Sequence, residues 1–172
     1  MHTYDRNYFK IALPAALEGL FMILLASTDL IMVGALGALS IAAVSIFMQP
    51  RLILLCFSRS LASSVTLLVS QKAGAGDTKV TSDIMKKSLT LCAIFMGLLH
   101  ILFYSFLDDI FYLMGANDEY MAEAMAYGPI ALAAVYVTSL TLILQAVQLG
   151  YGRTSVIMKT NVCANVVNLA LN

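Results

Sequence analysis

Four ionisable side chains stand inside otherwise apolar runs of this sequence: Glu18, Asp29, Arg51 and Arg59. Each costs about 2.5–3.5 kcal/mol at the centre of a membrane helix on insertion scales, a cost that calls for a partner or for water. Glu18 and Asp29 are 11 residues apart, close to three turns, so they leave a helix from nearly the same face. Pro14 lies four residues before Glu18 and withholds a backbone donor, which loosens the helix on that side. At about 1.5 Å per residue, Glu18 lies roughly 13 Å into the first apolar run and Arg59 roughly 16 Å from the end of an antiparallel second. The matching depths predict a structural Glu18–Arg59 ion pair and leave Asp29 the less neutralised acid. Asp29 then has two readings: a sheltered carboxylate that binds a cation or cationic ligand, or a span-end acid solvated among headgroups, since Gly34 follows closely.

A second constellation is built of amides. Asn161, Asn165, Asn168 and Asn172 recur at intervals of 4, 3 and 4, which places them on one helical stripe. Amides in membrane helices either hold helices together or line a hydrated, cation-coordinating cavity, amide oxygen being a hard ligand. Within the second run, Pro50 predicts a kink and Gln49 a cavity residue, whereas Gln145 and Gln148 suit a helix interface. His100 is a lone histidine, either a packing residue or a proton relay. The other histidine is in the polar lead "MHTYDRNYFK", and there is no HExxH pattern. Cys56, Cys92 and Cys163 sit in apolar runs and read as small hydrophobes. Neither a membrane-embedded enzyme nor a resident metal centre is expected from this inventory, and no nucleic-acid partner.

The elements that must position these groups follow from composition. Of 172 residues, 60% are hydrophobic and only 12% charged, about half the charge of a soluble domain, and the mean hydropathy is +0.87. One globular core cannot absorb that excess, so the expected class is all-α and polytopic in a membrane, with membrane lipid as a partner. Long apolar segments run from about Tyr8 to Leu36, Ser40 to Ser70, Ile84 to Leu107 and Ala122 to Leu149. A fifth starts near Ser155 and is still apolar at Asn172. This predicts four complete spans and a truncated fifth, hence one incomplete domain over residues 1–172. Gly-rich links join the spans, and in "LDDIFYLMGANDEYMAE" Gly115 is expected to close a short helix and Asn117 to cap the next one. Lys72, Lys79, Lys86, Lys87, Arg153 and Lys159 flank alternate links. Asp108, Asp109, Asp118, Glu119 and Glu123 occupy the opposite side. The positive-inside rule then predicts a cytoplasmic N-terminus in the cell (inner or plasma) membrane.

Several stretches form a recognisable set. "IALPAALEGLFMILLASTDLIMVGALG" has a proline, an aspartate 15 residues on and a V-G-x-L-G exit; "LSIAAVSIFMQP" follows it, and "LVSQKAGAGD" closes the second run. "YLMGANDE", "LGYGRT" and "NVVNLALN" complete the set. Together they resemble the N-terminal part of a multidrug and toxic compound extrusion (MATE) transporter, over essentially the whole chain. The resemblance implies an N-lobe helix bundle that needs the C-terminal lobe of the same chain as its partner. It implies alternating access, with organic cations and drugs exported in exchange for Na+ or H+, and no cofactor beyond Na+ as coupling ion. The family's N-lobe cation site maps to Asp29, Asn168 and Asn172, where Asn172 stands in place of a frequent aspartate. Asn161 and Asn165 join Gln49 as substrate-cavity candidates. The alternative function is a lipid-linked oligosaccharide flippase or another exporter of the wider superfamily, which Arg51 and Arg59 keep open.

Overall fold

A computed structural model describes the backbone of residues 3–35 and 37–171, and the side chains within it other than those of residues 3–11, 14, 15, 18, 29 and 168–171. Six helices follow in order: α1 Thr3–Gly34, α2 Ala38–Gly74, α3 Thr78–Ser105, α4 Leu107–Leu113, α5 Met121–Gly150 and α6 Thr154–Leu171. No strand occurs among the described residues, as the composition requires. Among them, α2, α3 and α5 are long and apolar enough to cross a membrane, while α1 offers the shorter apolar stretch Gly19–Gly34.

The links are set by glycine. At the end of α2, Gly76 adopts φ 75, its N–H bonds the Ala73 carbonyl, and Asp77 N–H bonds the Lys72 carbonyl. At the end of α5, Gly152 has φ 71 and the same pair of bonds reaches Leu149 and Gln148. This is the left-handed helix stop that an L side chain resists. Asp77 then caps α3, its carboxylate accepting from Val80 N–H at 3.0 Å.

Gly115 closes the short α4, as expected. Asn117 does not cap the next helix, which begins at Met121 after Tyr120. The Asn117 side chain instead accepts from Glu119 N–H at 3.2 Å, an Asx-type turn that competes with helix. Asp118 accepts from Tyr112 Oη at 2.9 Å, and that bond, with the carboxylate's charge, holds the phenol above its usual pKa.

The bundle is organised on α2 and α5. Phe47, Leu54, Ser58, Val65 and Val69 form the buried stripe of α2, and Ala124, Gly128, Leu132, Val135, Ser139, Ile143 and Ala146 that of α5. The α5 set repeats at three to four residues and the α2 set at four and seven, one and two turns of one helical face. Pro50 is buried within α2, which continues through it. α3 packs on both helices through Cys92 and Met96, each fully buried. A polar knot ties the three together. Ser58 Oγ donates to Ser139 Oγ at 2.7 Å, Ser139 Oγ donates to the Val135 carbonyl at 2.8 Å, and Tyr136 Oη donates to the Ala93 carbonyl at 3.1 Å. The outward faces stay apolar: Ile31 is 74% exposed and Ile130 73%, an arrangement that suits hydrocarbon and not water.

Gly150 brings α5 tightly against α2. A Cβ there would stand 2.6 Å from Val69 Cγ1 and 3.0 Å from the Thr66 carbonyl oxygen, whereas one at Gly74 would meet nothing within 4 Å. Gly150→Ala is therefore expected to destabilise the protein by about 1–3 kcal/mol, with Gly74→Ala close to neutral, as read from thermal unfolding in detergent by circular dichroism.

Candidate functional site

α6 lies between α1 and α5. It leaves the end of the bundle where α5 stops, so it runs toward the α1–α2 link and lies parallel to α1. Phe21, Leu24, Leu25 and Thr28 of α1 face Val162 and Asn165 of α6 across a cavity of about 210 Å³. Thr28 Oγ1 donates to the Leu24 carbonyl at 3.0 Å, so its oxygen retains acceptor capacity toward that space. Asn165 Nδ2 approaches Met22 Sδ at 3.9 Å. One turn earlier on α6, Gln145 Nε2 of α5 donates to Asn161 Oδ1 at 2.9 Å.

These contacts place part of the sequence-derived site. Asp29 directly follows Thr28 in α1, and Asn168 lies three residues beyond Asn165 in α6, so the two candidate cation ligands sit on paired helices at neighbouring levels. Their side chains, with those of Glu18 and Pro14, lie outside the described residues, as does Asn172 altogether. The amide stripe acts as helix glue at two of its positions: Asn161 reaches α5 and Asn165 reaches α1. Gln145 accordingly serves an interface, as its position suggested. Gln49 is exposed, as is Arg51, and neither lines the cavities beside α6.

Arg59 is exposed and lines a cavity of about 780 Å³ between α2, α5 and α6, together with Ser63, Gln145 and Thr154. The side chain of Glu18, its expected ion-pair partner, lies outside the described residues. His100 is buried; its Nδ1 lies 2.7 Å from the Met96 carbonyl, and its ring stands edge-on to Tyr136 at 5.5 Å. It packs α3 against α5. No group of His, Cys, Asp and Glu able to hold a metal occurs among the described residues.

Sequence reasoning missed the Ser58–Ser139 knot and the cavity beside Arg59. The signal for the first was present, since both serines fall on the buried stripes. The second depends on how three helices diverge, which periodicity does not report.

Apolar helices of spanning length, joined by tight turns and carrying their hydrophobic residues outward, define a polytopic α-helical membrane protein. The MatE family model matches residues 14–172, and the chain belongs to that family. It is 26% identical over 169 residues to the probable multidrug resistance protein NorM of Rhizobium meliloti (strain 1021), an alignment covering 98% of this chain and 36% of that protein. The chain thus spans about a third of its relative's length. No solved structure matches it.

The Gln145–Asn161 bond is open to direct measurement. A double-mutant cycle with alanine at both positions should give a coupling of about 0.6 kcal/mol, typical of amide bonds between membrane helices; additive losses would show that the bond contributes nothing.

Proposed function

We propose that this chain forms one lobe of a cation-coupled exporter that expels organic cations by alternating access, with Asp29 as the exchanging acid. The observation that carries the reading is the α1–α6 pairing. It sets the helix of Asp29 beside the amide-bearing helix, with Thr28 and Asn165 on one cavity. A carboxylate sheltered from bulk water has a raised affinity for protons, and it can trade a proton or Na+ for a cationic substrate. Oxygen ligands from neighbouring amides and Thr28 suit Na+. Family membership and the multidrug-resistance name of the relative support the same activity. The role is one of transport, without covalent chemistry. Asn168 and Asn172 complete the cation site, and the remainder of the transporter supplies the opposing lobe. A flippase or other exporter is the second reading, favoured by the guanidinium of Arg59 on a large cavity.

The charge pattern orients the bundle. Lys72, Lys79, Arg153 and Lys159 gather where α2 and α5 end and α3 and α6 begin, while Asp108, Asp109 and Asp118 lie at the α3–α5 connection. The basic end is cytoplasmic in this reading. Alkaline phosphatase fused after Asn117 should be active and the same fusion after Asp77 inactive; the opposite pattern would invert the topology.

Asp29→Asn in the complete transporter is expected to abolish ethidium efflux while leaving membrane insertion and expression intact. Efflux at the wild-type rate would remove Asp29 from the mechanism. Wild-type protein that moves no ethidium, yet translocates a lipid-linked sugar, would favour the second reading.

A further inference from the structure

The cavity beside Arg59 has a chemistry of its own. At about 780 Å³ it falls within the size range of small-molecule sites. It opens in the half of the bundle nearest the basic end, where α2 and α5 approach their C-termini and α6 begins. Among the described residues, Arg59 is its only charged lining residue. Donors on the wall are unequal. The hydroxyl hydrogens of Ser64 and Ser70 go to the carbonyls of Ser60 and Leu67, and Thr66 lies within bonding distance of the Ala62 and Ala146 carbonyls. Ser63 and Thr154 line the cavity with hydroxyls that have no acceptor among the described residues. The Gln145 amide gives one N–H to Asn161 and keeps its second. What remains is therefore one guanidinium, two O–H donors and one amide N–H, facing an apolar wall of Leu142, Leu149 and Ile157.

That combination selects against cations and for an oxyanion. A guanidinium matches a carboxylate or phosphate with paired, charge-assisted hydrogen bonds, and a cavity walled by apolar side chains strengthens them. We infer that this cavity is an oxyanion subsite, taking the carboxylate or phosphate of an amphiphile, with Arg59 as charge partner, Ser63 and Thr154 as donors, and the apolar body against Leu142, Leu149 and Ile157. The subsite is separate from Asp29 and does not require that residue's role in coupling. A soluble amphiphile and a phospholipid of the adjoining leaflet present the same group, and the test separates them.

The probes are norfloxacin, which is intrinsically fluorescent and carries a carboxylate, and its methyl ester, which does not. Binding to purified full-length protein is read by fluorescence anisotropy, in detergent and in phosphatidylcholine nanodiscs with or without phosphatidylglycerol. Loss of one charge-assisted pair should weaken norfloxacin binding about tenfold or more in Arg59→Gln, with Arg59→Lys intermediate and ester binding unchanged. Because Arg59→Gln alone could disturb packing, the Ser63→Ala/Thr154→Val double variant provides a second route, with the same preferential loss of the acid. If norfloxacin does not bind, retention of phosphatidylglycerol by wild type but not by Arg59→Gln supports the subsite with lipid as its source. Equal loss of acid and ester, or no change with either norfloxacin or lipid, overturns it. Binding that behaves as expected in a protein that exports nothing would leave the subsite standing and remove the exporter.

Discussion

The bundle rests on the seam between α2 and α5, where Gly150 lets the backbone of one helix settle on Val69 and the Thr66 carbonyl of the other. In lipid, apolar burial does not drive helices together, because the tails are as apolar as the side chains. Association must come from close packing and from hydrogen bonds that the bilayer cannot offer. This seam has both. The missing side chain at Gly150 permits contact near one end, and the Ser58–Ser139 bond holds the middle. α3 then docks on a surface already formed, with Cys92 and Met96 buried in it. Alongside the seam, between α2, α5 and the start of α6, lies the cavity that Arg59 lines.

Much of this architecture was legible in the residues. Composition gave the all-α membrane class, and runs of apolar residues gave the long helices, because a bilayer imposes a length that a window of sequence can recognise. Gly115 was readable as a stop because a left-handed turn after a helix favours glycine. Asn117 misled, because an asparagine side chain satisfies a turn as readily as a helix start, and the choice depends on where Tyr120 and Met121 can enter the next helix. The site was legible only in part. The spacing of Asn161 and Asn165 announced a stripe, but two functions share that spacing, and only the neighbouring helices distinguish glue from ligand. Depth matching related Glu18 to Arg59 along the membrane normal but carried no information about rotation around α2, so the cavity that Arg59 lines was not legible.

The helices fall into two sets by their contacts. α2, α3 and α5 share a buried seam with a polar knot. α1 and α6 pack on each other and touch that seam more lightly. Asp29 and Asn168 belong to the lighter set, which is where a moving element is best placed, since two arrangements of loosely held helices differ little in free energy.

The pairing of α1 with α6 also bears on how the molecule is built during translation. α1 leaves the ribosome before α2 to α6, and its main neighbour starts only at Thr154. The α2–α3 hairpin and the α5 helix that closes on it are complete before that neighbour exists. α1 must therefore wait, touched only lightly by α2, until α6 arrives. Among these six helices assembly is consequently ordered, with the α1–α6 interface formed after the α2–α3–α5 seam.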